Sequence, residues 1–238
     1  MEHLERIIEH QPLEHHSLKN ALLTSPTGII AEFKRKSPSK GWIHEGAKVE
    51  TITSDYEKNG ATGISVLTDT PFFGGSLNDL RTARKNVSIP LLRKEFIIDE
   101  YQIYEAKAAG ADAILLIAAA LSPLQSKEFT RLAKELHLDV LLEIHDEIEA
   151  DYVTAYNDLI GVNNRNLGSF ETSVEKSFNM INLLPKEAVL VSESGISNPQ
   201  TVKELRDAGY KGFLIGENFM KTENPGASLG EFLKKVIQ

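Results

Sequence analysis

Short aliphatic runs alternate with longer helical patterns along the whole chain, and this alternation constrains the fold more than any other feature. The runs Gly28–Lys36, Ile64–Asp69, Pro90–Phe96, Ala113–Ala119, Val140–His145, Leu159–Arg165, Val189–Gly195 and Gly212–Glu217 read as strands. Helical periodicity fills the intervals: Val49–Asn59, Leu77–Asn86, Asp99–Ala109, Pro123–Leu136, Asp146–Tyr156, Ser173–Leu184 and Asn198–Ala208. A last helix fits near Ala227–Val236. Asn59-Gly60, Ala109-Gly110 and Ala208-Gly209 put glycine just past a final turn, where a left-handed residue closes the helix. The phrases NGATGI, AGADAI and AGYKGF each join a helix end to the next strand. They repeat a strand–helix unit and are not a solenoid period.

Eight such units predict a closed parallel sheet, the α/β class (β/α)8 or TIM barrel. The rival is an open doubly wound sheet, which usually carries a phosphate loop in its first strand-to-helix turn. That turn here is KRKSPSKG, with neither GxGxxG nor GxxxxGK[ST]. The length of 238 residues suits one barrel of about 250 residues. No linker or low-complexity tract divides the chain. The expected organisation is a short helical extension over residues 1–27, with helices at Glu2–Glu9 and His16–Leu23, followed by a barrel over residues 28–238.

Composition narrows the chemistry. The chain has no cysteine, which excludes disulfides, thiolate metal sites and cysteine nucleophiles. A reducing cytoplasm is the expected compartment. The opening MEHLERIIEHQPLEHH lacks the apolar core of a secretory signal. No apolar stretch approaches 18 residues, so no membrane partner is expected. A formal net charge of −8 argues against nucleic acid, whose phosphates are bound by basic surfaces.

Barrels of this kind react at the C-terminal ends of their strands, and side chains of one parity face the interior. Glu32 and Lys34 share a face on the first strand, with Phe33 turned toward the helices. Lys94 lies on the face of Leu92 and Phe96. Glu143 interrupts VLLEIH, Asn163 and Arg165 fall together, and Glu193-Ser194 end the seventh strand. A charge inside an apolar strand is expensive unless paired. For any one of these residues a structural ion pair is as good an account. Two lysines and three glutamates converging on one mouth favour acid–base chemistry. The lysines are expected to have lowered pKa values through burial and mutual repulsion, opposed by the glutamates.

The turns ESGIS and LIGENF follow the last two strands. Gly195 and Gly216 let backbone N–H groups approach a phosphate, and Glu217 must turn its carboxylate away while its N–H serves. Lys34, Arg35, Lys36 and Lys40 crowd the first loop and suggest an anion site, with Ser37 as a hydroxyl donor. His145 reads as structural, because nothing near it has metal-ligand spacing. Trp42 stacks on a ring or covers its loop, and Phe72-Phe73 form a lid or pack.

The strings EFKRKSPSKG, LLRKEFIIDEYQIYEAKAAGADAILLI, LLEIHDEIE, IGVNNRNL, LVSESGI and FLIGENFM together resemble indole-3-glycerol phosphate synthase, from about Gly28 to the C-terminus. The resemblance implies ring closure of 1-(o-carboxyphenylamino)-1-deoxyribulose 5-phosphate to indole-3-glycerol phosphate, CO2 and water, without metal or organic cofactor. It implies Lys94 as the ring-closure acid and Glu143 as a carboxylate that positions or exchanges protons. Lys34 holds the substrate carboxylate and acts as an acid in dehydration, Glu32 is the matching base, and Asn163 orients the pair. Which lysine acts at which step stays open. Ser37, Arg165, Glu193 and Ser194 match substrate contacts, Phe73 and Leu115 the apolar walls, and Gly195, Gly216 and Glu217 the phosphate site. The expected partner is a phosphorylated anionic small molecule. The expected assembly is a monomer, with transient contact to other tryptophan-pathway enzymes. Family members usually carry a longer N-terminal extension whose helix packs over the barrel mouth, so this chain is expected to lack part of it.

Two other enzymes of the same architecture compete. Phosphoribosylanthranilate isomerase uses a cysteine for proton transfer, and this chain has none. A Schiff-base aldolase would form a borohydride-trappable imine at Lys94. A binding protein without catalysis is disfavoured by the full set of site residues.

Overall fold

The computed structural model describes residues 15–166 and 168–238. Eight parallel strands close on themselves: β1 (Ile29–Phe33), β2 (Gly63–Leu67), β3 (Leu91–Lys94), β4 (Ala113–Ile117), β5 (Asp139–Ile144), β6 (Leu159–Asn163), β7 (Val189–Glu193) and β8 (Gly212–Ile215). Strands adjacent in sequence are adjacent in space, and β8 returns to β1 with Phe213 opposite Ile29. This is the TIM barrel that the alternation predicts, and the open sheet is excluded.

Strand parity divides the core. Ile29, Ala31 and Phe33 of β1 join the layer between strands and helices. Ile30 instead joins Leu92, Leu115, Leu141, Leu159, Val191 and Leu214 inside the barrel. The strands stop one to three residues before the sequence reading ends them, and residues just beyond several of them line the mouth. After β1, Lys36–Ser37 pairs antiparallel with Gly41–Trp42 in a small ribbon.

The surrounding helices are α2 (Val49–Lys58), α3 (Thr70–Phe73), α4 (Leu77–Asn86), α5 (Glu100–Ala108), α6 (Pro123–Glu135), α7 (Glu175–Met180), α8 (Pro199–Ala208), α9 (Glu217–Met220) and α10 (Pro225–Ile237). They start and stop where local chemistry says. Capping boxes open α5 (Asp99 with Gln102) and α6 (Ser122 with Gln125). Gly60, Gly110 and Gly209 follow the ends of α2, α5 and α8 with φ of 94°, 89° and 126°.

The helix expected over Asp146–Tyr156 is a correction: only a 3-10 turn forms there, at Glu149–Tyr152. Asp146 Oδ1 accepts the N–H groups of Ile148 and Glu149, and Asn157 Oδ1 accepts that of Thr154. Side chains that capture backbone donors locally compete with a continuing helix. The expected helix Ser173–Leu184 is also shorter, as α7 followed by a 3-10 turn at Ile181–Leu183.

The first described helix, α1 (Leu18–Thr24), sits under the barrel floor. Leu18 and Leu22 are buried within the interior cluster. Ser17 Oγ and the Lys19 N–H both donate to Asp139 at the start of β5, at 2.9 and 3.0 Å. Each buried leucine contributes about 1.5–3 kcal/mol by burial. The expected helix Glu2–Glu9 lies outside the described residues.

Candidate active site

A cavity of about 1020 Å³ opens at the C-terminal ends of the strands. Glu32, Lys34, Ser37, Phe73, Lys94, Leu115, Glu143, Asn163, Arg165, Ser194, Gly195 and Glu217 all line it. They come from all eight strands or the loops after them, which is why so few are near each other in sequence. Glu193 and Gly216, also expected to touch the substrate, do not line the cavity.

The buried charged groups form one pair and one trio. Lys34 Nζ donates to Glu32 Oε1 at 2.6 Å. Across the barrel, Lys94 Nζ donates to Glu143 Oε2 at 3.2 Å and also to Glu193 Oε2. Glu193 is fully buried. Asn163 uses its Oδ1 to accept the Arg165 N–H at 3.0 Å, fixing the end of β6.

Electrostatics correct one expectation. Burial alone would lower the Lys94 pKa, but Glu193, Glu143 and Glu32 outweigh it and hold the ammonium well above its usual range. Burial would likewise raise Glu143, yet Lys94 and His145 keep it below the ordinary carboxylate range. Glu193 goes the other way: burial, reinforced by Glu143 and opposed by Lys94, pushes it up to about 8. Two carboxylates on one ammonium therefore titrate as a coupled group, with Glu143 held down and Glu193 pushed up.

Two glycines make room for this cluster. A Cβ at Gly216 would lie 2.4 Å from Glu32 Oε1, and one at Gly161 would lie 2.1 Å from Glu193 Oε1. Glycine at 216 therefore clears space for the Glu32 carboxylate. Sequence reasoning gave it a phosphate role alone, because a turn glycine gives no hint of what its missing side chain makes room for.

Just after β7, the N–H groups of Gly195, Ile196 and Ser197 donate to no acceptor among the described residues. Glu217 begins α9 nearby, and Lys221 and Lys40 add cations to the rim. Ser37 is buried and its hydroxyl has no partner among the described residues. Arg165 donates to Ser39 Oγ at 3.0 Å, tying the loop after β6 to the loop after β1.

The four cations of the first loop divide. Lys34 and Lys40 line the cavity. Arg35 instead makes a two-pronged pair with Asp79 at 2.8 and 2.9 Å, and Lys36 donates to Pro71 O while lying over the Trp42 ring. Those two staple loops together and are not part of an anion site. Trp42 covers its loop and does not line the cavity. Asp69 caps α3, which brings Phe72 and Phe73 into the wall, and Phe73 packs against Phe96.

Sequence reasoning missed Glu95, Lys221 and the surroundings of His145. Glu95 lines the cavity and accepts from Thr68 Oγ1 at 2.6 Å. It stands next to Lys94 with opposite parity, so the alternation rule pointed it at the helices. Lys221 follows α9, and only the geometry of that helix returns it to the mouth.

The family model for indole-3-glycerol phosphate synthase matches residues 1–232. The indole-3-glycerol phosphate synthase of Bacteroides thetaiotaomicron is 59% identical over 92% of this chain and 85% of its own length. That of Polaromonas naphthalenivorans is 44% identical over 90% of this chain and 82% of its own. Among solved structures, 3-hexulose-6-phosphate synthase from Salmonella typhimurium shares the fold, with a TM-score of 0.69 at 15% identity over 89% of this chain and 99% of that one.

Proposed function

The chain belongs to the indole-3-glycerol phosphate synthase family, carboxy-lyases of tryptophan biosynthesis, and on that premise we propose that its barrel mouth closes the indole ring by lysine and glutamate acid–base catalysis. The substrate is 1-(o-carboxyphenylamino)-1-deoxyribulose 5-phosphate, and the products are indole-3-glycerol phosphate, CO2 and water.

The observation that carries this reading is the Lys94 ammonium, held between Glu143 and Glu193 and open to a cavity with apolar walls at Phe73 and Leu115. The ring carbon bearing the carboxylate attacks the ketone carbon. The ketone oxygen gains charge and takes a proton from Lys94, which its two carboxylates keep protonated until that moment. Glu143 holds Lys94 in line and takes up or returns the proton. Loss of CO2 then restores the ring's unsaturation. In the dehydration, Lys34 protonates the departing hydroxyl and Glu32, 2.6 Å from Lys34, removes a proton from the adjacent methylene carbon bonded to nitrogen, with Asn163 orienting the pair.

The rest of the mouth fits the two ends of this dianionic molecule. Lys34 and Arg165 face the substrate carboxylate, and Ser37 and Ser194 offer hydroxyls. The free N–H groups at Gly195, Ile196 and Ser197, with the start of α9 at Glu217, face the phosphate. Gly216 stands at this phosphate end as well, and its missing side chain clears space for Glu32 of the dehydration pair. Glu193 acts on the substrate through Lys94. The chain works as a monomer on a small phosphorylated anion, with no nucleic acid or membrane partner and no cofactor, in the cytoplasm, meeting other enzymes of its pathway only transiently. Among the described residues no helix is long and apolar enough to cross a membrane.

The test is a fluorescence assay of the purified chain with that substrate and a chelator present. Indole fluorescence is expected to appear at a rate independent of the chelator. A folded sample that binds the substrate without turning it over would overturn the reading.

A further inference from the structure

Glu143 is held from two sides, and only one of them is the cavity. Its Oε2 faces Lys94, while its Oε1 lies 3.2 Å from Nε2 of His145. This second contact is an ion-pair approach and not an aligned hydrogen bond. His145 follows β5 directly, is 7% exposed and does not line the cavity, so it stands behind Glu143.

The other face of the imidazole is also occupied. Nδ1 lies 3.1 Å from Glu149 Oε2, and that same oxygen accepts the His145 N–H at 2.7 Å. Glu149 is itself fixed, because Asp146 Oδ1 accepts its N–H at 3.0 Å. The 3-10 turn that replaces the expected fifth helix thus exists in a form that delivers one carboxylate to the back of His145.

An imidazole with a carboxylate at each nitrogen satisfies both only as the imidazolium, since the neutral ring has a single donor. Burial works against that charge, but Glu143 and Glu149 outweigh it and raise the His145 pKa. The charged groups facing the ring are Glu143 on its own strand and Glu149 on the following turn. Two strands away, on β3, the Lys94 ammonium is turned to Glu143 and Glu193.

We propose that His145, backed by Glu149, is a positioning residue for ring closure: it holds Glu143 by the oxygen that Lys94 leaves free, keeping the carboxylate ionised and aimed. This rests on Glu143 belonging to the acid–base machinery, as read above. Without His145, Oε1 has no cationic neighbour, and the carboxylate is free to turn away from Lys94.

Steady-state kinetics against pH on His145→Ala, His145→Gln, Glu149→Gln and Glu143→Gln test this, with circular dichroism as the check of fold. In His145→Ala, kcat is expected to fall about tenfold, the scale of losing one contact to a charged group, with KM little changed. The acidic limb of its kcat profile should move to higher pH, because Glu143 loses a neighbour that favours its ionised form. Glu149→Gln should move the limb the same way by less. His145→Gln, which still donates, should recover part of kcat but leave the limb displaced. If His145→Ala does not fold, the limb in His145→Gln and Glu149→Gln decides. Wild-type profiles in folded variants, or a loss of kcat with the limb unmoved, would overturn the proposal. Near-normal turnover in Glu143→Gln would overturn the reading of Glu143 and this inference with it. An inactive Glu143→Gln beside a wild-type His145→Ala would remove His145 alone.

Discussion

Lys94 on β3 and Glu143 on β5 meet 3.2 Å apart inside the barrel, two strands removed from each other with Leu115 and Ile117 of β4 between. Glu193 of β7 closes on the same ammonium from the far side. A cation so placed remains protonated through the working range, because its carboxylates outweigh its burial. It starts the reaction as an acid and needs no depressed pKa to do so.

Lys94→Ala should therefore lower kcat by at least the ~10²-fold that a positioned general acid supplies. The basic limb of the wild-type kcat profile should not come from this lysine. The fluorescence assay gives the rate, and circular dichroism shows whether the fold survives. Near-normal turnover in a folded variant would remove Lys94 from its role.

Glu193 makes stability depend on pH with an unusual sign. Its folded pKa is raised to about 8, above the ~4.3 of an unfolded glutamate. Between those values the folded chain binds a proton that the unfolded chain does not, so stability falls as pH rises. Glu193→Gln mimics the protonated form and removes this dependence. Melting at pH 6 and pH 8.5 should show a smaller drop in the variant than in the wild type. An equal drop would mean that Glu193 is already ionised at pH 6.

The parts of this molecule set by backbone periodicity were legible in the sequence, and those set by contacts across the barrel were not. Parity alone placed Glu32, Lys34, Lys94, Glu143 and Asn163 at one mouth, because side chains alternate along any strand. The stops at Gly60, Gly110 and Gly209 were legible for the same local reason. The sign of the Lys94 shift was not, since it depends on Glu193 reaching the ammonium from β7. Nor was the fate of Arg35, which leaves a cationic run to pair with Asp79 far along the chain. The missing fifth helix shows a third limit, as Asp146 and Asn157 take backbone donors that periodicity assigns to helix.

Gly216 offers a test of packing within the site. Its φ of −120° is negative, so the cost of placing a side chain on a left-handed residue does not arise. The added Cβ meets the Glu32 side chain at 2.4 Å and must displace it. Gly216→Ala should cost about 1–3 kcal/mol, as overpacking does, and should lower kcat by separating Glu32 from Lys34. Adding Glu32→Ala should return part of the stability, read from urea unfolding, and none of the turnover. A fully active Gly216→Ala would show that the Glu32 carboxylate is not needed where it sits.

At the other end of the barrel, Leu18 tests whether the floor and the mouth are energetically separate. Its side chain is fully buried, and Gly63 has no side chain where Leu18 Cδ1 approaches to 2.9 Å of the Cβ position. The fit leaves little room to collapse around a deletion, so Leu18→Ala should cost about 2–5 kcal/mol in urea unfolding. Layers of Leu92, Leu115, Leu141 and Val191 stand between this floor and Lys94. They are rigid, close-packed side chains that gain nothing by moving, so kcat at saturating substrate should match the wild type while the unfolding midpoint drops. A parallel fall in kcat under conditions where the variant is fully folded would mean that α1 sets the geometry of the mouth through the barrel interior.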